Sequence, residues 1–461
     1  MRTVVIGGGI SGLACAWRLR RLGAEVLLLE SEDRAGGVIR TISRDGVLYE
    51  AGPQSFLLAP ALADLIAELE LDGELLLADR RAPRFVVIGG KLRKVPLGPL
   101  GFLTSGLVSS GTKWRLVSEP FGRTTPPEDD ESIAAFVRRK FGADLLDRLV
   151  APMVSGIYAG DAERLSLRGA FPSLYQAEKQ FGSVIRGMMK SKPAGEKSSG
   201  GTSRPSRGGL AALAGGNESL VARLAERLGD SIQRGTRAVS IAHAPAGGEA
   251  RFEVGVDRGG RRETIPAASV ILAAPARAAS SLLAPLVPAA ADLARIEYAP
   301  VAVVAGSYSM EHLRSPLEGF GFLAPRAERL RVLGTVWNSS LFPGRVPEGQ
   351  TLLTSFVGGM TDPAAAGLPD EALFQTVESE LRRVLGLLLA PRARFAQRWS
   401  AAIPQYNMGH AALLSRIRAA LADAPGILLA GNYLEGPAIG ACVALANRTA
   451  ERALSPADSR P

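Results

Sequence analysis

Cysteine and histidine are scarce in this chain of 461 residues: Cys15 and Cys442 are the only thiols, and His243, His312 and His410 the only imidazoles. Two cysteines so far apart, each inside an apolar helical pattern, give no disulfide framework and read as small core side chains of a reducing compartment. Three dispersed histidines supply neither a metal cluster nor a His-Asp-Ser order for hydrolysis, so no metal is expected. An uninterrupted apolar run of transmembrane length is also missing. No internal repeat and no nucleic-acid module are recognisable. The 54 Lys and Arg against 45 Asp and Glu, a formal charge of +9, are scattered along the chain. That pattern argues against nucleic acid and for anionic substrates, acidic partners or an anionic membrane surface.

Hydrophobic residues are plentiful at 46%, enough at this length for a substantial core divided over more than one domain. The strand-like Val4-Val5-Ile6 passes into Gly7-Gly8-Gly9-Ile10-Ser11-Gly12 and a predicted helix over Ser11–Leu22; a second strand over Glu25–Leu29 closes on Glu30 and Ser31. Gly7-x-Gly9-x-x-Gly12 in that order permits the tight turn, the approach of a pyrophosphate to a helix N-terminus and close packing of helix on sheet, while Glu30 can accept from ribose hydroxyls. The run continues as Glu30-x-x-x-Arg34-x-Gly36-Gly37, a second cradle for dinucleotide phosphates that nicotinamide sites do not need. At the other end, the strand over Ile427–Ala430 leads to Gly436 and a helix start at Pro437, Ala438 and Ile439, where backbone amides come near a flavin ring. The two ends together favour FAD over NAD. No His or Cys occupies the glycine turns themselves, so one noncovalent FAD per chain is expected.

The fold class expected is α/β, with two interleaved domains. Residues 1–70, 208–275 and 400–461 are assigned to a discontinuous Rossmann-like FAD-binding domain. Residues 71–190, where helical periodicity dominates, form a mainly helical, membrane-facing region, and 276–399 a mixed-sheet substrate domain with short strands at Val301–Tyr308, Arg331–Trp337 and Thr351–Val357. Residues 191–207, rich in Ser, Gly, Lys and Pro, are expected to be a flexible loop. Val95–Val108, apolar with glycine and proline breaks and flanked by Lys91, Arg93, Lys94, Lys113 and Arg115, suits either an interfacial wedge on an anionic bilayer or a buried hairpin of the substrate domain.

The whole chain resembles the protoporphyrinogen oxidase family, within the wider amine oxidase and phytoene desaturase group. Both FAD ends signal the wider group. The narrower resemblance rests on Ala151-Pro-Met-Val-Ser-Gly-Ile-Tyr-Ala-Gly-Asp161, Leu165-Ser-Leu-Arg168, Phe171-Pro-Ser-Leu-Tyr-Gln-Ala-Glu178, Ile403-Pro-Gln-Tyr406 with Gly409-His410, and Gly431-Asn-Tyr-Leu-Glu-Gly436. It implies that Gly156 presents its backbone to the tetrapyrrole and that Arg84 pairs with a substrate propionate, for which a guanidinium is suited by its bidentate geometry. Phe320, Leu323, Val336 and Phe356 align with apolar walls around the macrocycle. Trp399 corresponds to a flavin-adjacent residue and Val239 to one that meets adenine, and Gly52, Pro53, Gln54 and Ser55 belong to the same cofactor site.

The activity implied is oxygen-dependent, six-electron oxidation of protoporphyrinogen IX to protoporphyrin IX in heme synthesis, by three hydride abstractions onto FAD with H2O2 as by-product. No side chain is assigned a catalytic role, because the cofactor carries the chemistry and the cleft segments offer no acid–base pair. The four-carboxylate coproporphyrinogen III is the alternative substrate. A flavin amine oxidase, a carotenoid desaturase and a noncatalytic tetrapyrrole-binding flavoprotein are more distant readings. Beyond the porphyrinogen and O2, an anionic membrane surface, a homodimer and a ferrochelatase contact are the partners considered. With the first strand beginning at Arg2, a cytoplasmic protein, peripheral on the inner face of the cell membrane, is expected.

Overall fold

The computed structural model describes residues 2–190, 208–246, 250–313 and 317–455; the expected loop 191–207 lies outside them. Five parallel strands form a central sheet in the order Ile232–Gln233, Val26–Leu29, Thr3–Ile6, Ser269–Leu272, Ile427–Leu429. Both of its faces are covered, which is why these strands read as unbroken apolar runs. Alternation divides their side chains between two cores. Val5, Leu28 and Ile271 pack with helices Ile10–Arg21, Pro60–Glu68, Glu218–Leu228 and Ile439–Leu454. Val4, Ile6, Leu27, Leu29, Val270 and Leu272 pack with helices Ala276–Leu283 and His410–Leu421 and with a three-stranded antiparallel sheet, Arg237–His243, Phe252–Arg258 and Arg261–Ala267.

A second sheet of seven strands runs in the order Ala393–Pro404, Tyr298–Ser309, Gln350–Gly358, Val332–Trp337, Gly321–Leu323, Arg84–Ile88, Lys91–Val95. All neighbours are antiparallel except Gly321–Leu323 with Arg84–Ile88. One face is closed by helix Asp370–Leu385, whose Leu373, Val377 and Leu381 meet Val87, Val304, Phe322, Trp337 and Val357.

Two features differ from the sequence reading. The hairpin Arg84–Val95 extends this sheet instead of joining the helical region, and Ala393–Pro404 runs unbroken through the boundary expected at 399/400. The outer strand of the hairpin, Lys91–Val95, and Ala393–Pro404 are the two edges of the sheet and are rich in Arg, Lys and Ala, which favour a strand only once a neighbour supplies the hydrogen bonds.

The helical region, residues 99–190, packs on the end of the sheet carrying Val86 and Ile88 through Ile133, Phe136, Val137, Leu146 and Val154. Val95–Val108 divides between the two readings: Leu107 and Val108 are buried, whereas Leu97 and Leu100 are exposed. Helix Ala151–Tyr158 is entered through a π-helical turn at Leu146–Val150, immediately ahead of Pro152. Proline withholds one N–H from the ladder and crowds the preceding turn, and a wider turn relieves both.

An ionic cluster holds the helical region together from inside. Lys140 Nζ lies 2.9 Å from Glu119 Oε1 and 3.3 Å from Glu178 Oε1, and donates to Thr124 Oγ1 at 2.6 Å. Arg139 forks onto both Glu131 and Glu178. Glu119 in turn accepts from Ser183 Oγ and from the N–H groups of Val184 and Ile185, capping helix Val184–Lys190.

Candidate active site

Helix Ile10–Arg21 starts from Gly9, and no side chain caps it, so the N–H groups of its first turn are left for a ligand. A Cβ at Gly9 would meet nothing within 4 Å, whereas one at Gly12 would lie 1.8 Å from the Gly7 carbonyl oxygen. The turn is therefore open at Gly9 and closed at Gly12, as a dinucleotide cradle requires. Glu30 is buried beside it: its carboxylate accepts from the N–H groups of Gly8 at 2.7 Å and Glu32 at 2.8 Å and from Ser31 Oγ at 3.2 Å. The Gly36 N–H donates to the Gly8 carbonyl at 2.7 Å, which sets the second glycine turn against the first. Arg34 shapes that turn by donating to the carbonyls of Ala35, Gly37 and Ile39 and to Glu218. Val239 is the bulged residue of strand Arg237–His243, between Ala238 and Ser240 in register, and stays exposed.

Gly52–Ser55 follow strand Val47–Glu50 and are fixed from several sides. The Trp399 indole donates to the Ala51 carbonyl at 2.7 Å, Asn217 Nδ2 to Pro53 O at 2.9 Å, and Asn338 Nδ2 to Gln54 Oε1 at 2.8 Å. Ala438 is the N-cap of helix Ile439–Leu454, with Pro437 ahead of it and Ile439 buried. The strap before that helix is pinned by Tyr406, whose hydroxyl donates to the Asn432 carbonyl, and by His410, whose Nε2 meets the Tyr433 carbonyl at 2.9 Å. Burial pushes His410 below the ordinary imidazole range. The ring is thus neutral with its proton on Nε2, since a carbonyl can only accept. Both cysteines are buried and free in the two helices that cross behind this strap, and no metal-binding cluster occurs among the described residues.

The residues expected on the substrate side share the other face of the seven-stranded sheet. Register pairs Arg84 with Gly321, Gly321 with Val336 and Val336 with Thr354; two positions on, Leu323 pairs with Gly334 and Gly334 with Phe356. Direct partners and residues two apart point the same way, so Arg84, Leu323, Val336 and Phe356 look out from one face, as does Trp399 opposite Val301. Arg84 is exposed, its guanidinium 5.6 Å from the centre of the Phe320 ring, and Phe320 packs beside Val336. A Cβ on Gly156 would sit 2.6 Å from Leu323 Cδ2, so helix Ala151–Tyr158 lies directly on this face. Met153 and Ile157, which share the Gly156 side of that helix and stay 38% and 48% exposed, were not singled out from sequence. Their signal was the helical spacing 153, 156, 157. Phe356 belongs to a separate apolar group with Ala159, Val301 and Met360, further along the same face.

Residues 10–454 match the family described as flavin containing amine oxidoreductase. The chain is 36% identical over 468 residues to protoporphyrinogen oxidase 1, chloroplastic, of Spinacia oleracea, covering 95% of this chain and 82% of that protein. This chain belongs to the protoporphyrinogen oxidase family of flavin containing oxidoreductases. Its relatives there include the coproporphyrinogen III oxidase of Bacillus subtilis (strain 168), 32% identical with 95% of each chain covered. A solved structure from Exiguobacterium sp. 255-15, designated a protoporphyrinogen oxidase, superposes with a TM-score of 0.79 at 28% identity over 98% of both chains. FAD is the cofactor of this family member, and the open turn at Gly9, the uncapped helix and Glu30 fit its ADP end.

Proposed function

We propose that this chain oxidises protoporphyrinogen IX to protoporphyrin IX in heme synthesis, with O2 as final acceptor, and that it binds one noncovalent FAD through Gly7–Gly12, Glu30, Ser31, Arg34, Gly36, Gly37, Gly52–Ser55, Val239, Trp399 and Pro437–Ile439. The observation that carries the substrate reading is the shared face: Leu323 with Gly156 above it, Val336, and Phe356 further along line one apolar face, Trp399 stands at its cofactor end, and Arg84 with Phe320 towards the opposite edge. Such a surface suits a broad apolar ring carrying carboxylates on one side. FAD, when bound, supplies the hydride acceptor and the route of electrons to oxygen. The chain's own part is to orient: Arg84 holds a propionate, the apolar wall excludes water from the ring, and the strap held by Tyr406 and His410 fixes the helix start Pro437–Ile439.

One observation favours the coproporphyrinogen alternative. On the edge hairpin Arg93 pairs with Val86 and Lys91 with Ile88, which puts both cations on the face that carries Arg84. A substrate with four carboxylates would use more of that row than one with two. Supplying each porphyrinogen under air and following porphyrin emission tests both readings, and equal silence toward both refutes them.

An anionic membrane surface is the proposed partner. Leu100, Trp114 and Phe121 are 78%, 72% and 85% exposed on the helical region, beside Lys113 and Arg115. No helix among the described residues is long and apolar enough to cross a membrane, so attachment to the inner face would be peripheral.

A further inference from the structure

The strongest unassigned feature is a buried ion pair beneath the cofactor loop. Glu50 and Arg345 stand 295 residues apart in sequence, yet their side chains are only 3% and 2% exposed and meet at 3.2 Å. Burying two charges is costly unless their donors and acceptors are matched, and here both carboxylate oxygens and both terminal guanidinium nitrogens have partners. Glu50 Oε1 also accepts from the Asn217 N–H at 2.8 Å, and Oε2 from Thr41 Oγ1 at 2.8 Å. Arg345 Nη2 donates to the Leu213 carbonyl at 3.1 Å, and the Arg345 carbonyl accepts from the Leu48 N–H at 2.9 Å.

The place of the pair gives it meaning. Glu50 directly precedes Ala51–Ser55, and its own carbonyl accepts from Gln54 Nε2 at 2.8 Å. The same few residues are gripped by Asn338, just after Val336 on the substrate wall, and by Trp399 on the edge strand of the same sheet. Asn217, at the start of helix Glu218–Leu228 in the dinucleotide half, grips them from the other side. Arg345 is thus the charged member of a clamp that closes the dinucleotide half onto the substrate sheet across the cofactor loop. We propose that Arg345, acting through Glu50, is a positioning residue that sets the distance and tilt between the bound isoalloxazine and the substrate wall. This rests on the reading of Gly52–Ser55 as part of the FAD site.

Arg345 meets its two acceptors through different nitrogens, Nη1 on Glu50 and Nη2 on the Leu213 carbonyl, a planar fork that an ammonium does not reproduce. Arg345→Lys keeps the charge balance and removes the fork; Glu50→Gln with Arg345→Met removes both charges and strands neither. For each we expect FAD to bind but the visible circular dichroism of bound FAD to change. We also expect anaerobic reduction of that flavin at saturating porphyrinogen to slow at least fivefold, while the substrate dissociation constant, set by Arg84 and the apolar wall, stays within twofold. A merely structural pair would lower the melting temperature and leave both the dichroism and the reduction rate at wild-type values, and that result in the folded variants overturns the proposal. If wild-type flavin is reduced by neither porphyrinogen, the substrate reading fails on its own, while the dichroism, which needs no substrate, still decides the role of Arg345.

Discussion

Replacing Gly9 and Gly12 separately by alanine should separate cofactor binding from folding. At Gly9 the backbone has φ −70° and ψ 179°, a conformation open to alanine, and the added methyl meets nothing within 4 Å of the protein. The apoprotein should therefore be unchanged or more stable by about 0.4–1 kcal/mol, through the lost freedom of the unfolded chain. The methyl nevertheless stands where a pyrophosphate must approach the first-turn N–H groups. Loss of one charge-assisted contact, about 1.5–3 kcal/mol, weakens FAD binding roughly ten- to a hundredfold. At Gly12 the methyl would lie 1.8 Å from the Gly7 oxygen, where ordinary contact begins at 3.4 Å, and 3.2 Å from Ala273 Cβ. Helix and strand must then separate, an overpacking cost of about 1–3 kcal/mol that falls on the apoprotein as well. Urea unfolding of the deflavinated proteins, with FAD titrations followed by flavin fluorescence, measures both quantities. Wild-type FAD affinity in Gly9→Ala, or apoproteins equally unstable in both variants, would refute the assignment of an open cradle.

Arg84→Ala should weaken use of either porphyrinogen about ten- to a hundredfold while FAD content stays near wild type, because the guanidinium is exposed and, among the described residues, meets a ring face; unchanged steady-state constants would remove it from the site. In the helical region, burial works to raise the Glu178 carboxyl, but donation from Arg139 and Thr124 and the charges of Lys140 and Arg139 outweigh it and hold it at about 2. A carboxyl lowered on folding stabilises the fold fully above its unfolded value and loses that contribution as pH falls through the folded one. About 3 kcal/mol should therefore disappear between pH 4.5 and 2. The stability gap between wild type and Glu178→Gln should shrink over that window, and a pH-independent gap contradicts the account. Flotation with anionic liposomes should carry the protein upward at low salt and less so at high salt, and Trp114→Ser with Phe121→Ser should abolish it; protein that stays at the bottom at low salt refutes the membrane reading.

The two strand-turn-helix ends could be read from sequence because their pattern is local: the Gly7–Gly12 turn, Glu30 and the Gly36 turn lie within one strand-helix-strand unit, and the closing strand and helix start form another. The wall strands Tyr298–Ser309, Val332–Trp337 and Gln350–Gly358 were legible for a similar reason, as β-branched runs between turn residues. The strand Ala393–Pro404 was not. Its Arg394, Ala396, Arg398 and Ala401 carry little β preference, and it exists because Tyr298–Ser309 offers it a long row of partners. The union of Arg84–Ile88 with Gly321–Leu323 was equally hidden, being a parallel pairing of segments more than two hundred residues apart. Glu50 and Arg345 each looked like ordinary charges, since nothing local marks a side chain that will be buried against a partner from the far half of the chain.

The π turn at Leu146–Val150 gives the protein an adjustable joint of fixed setting. An α-helix advances about 100° per residue, and a π turn takes up one extra residue in a single wider turn, so the residues after it keep the azimuth of a regular helix that is one residue shorter. Gly156 rests on Leu323 only because the helix arrives with that phase. Tightening the turn to a regular α-helix with all its residues kept would carry Gly156 around by about 100° and bring a side chain onto Leu323, whereas deleting one residue within the turn would tighten it and keep Gly156 in place. A single-residue deletion within the turn should thus be better tolerated than a single-residue insertion after it, which would turn Gly156 off Leu323 and reshape the substrate wall while leaving both glycine turns at the FAD end untouched.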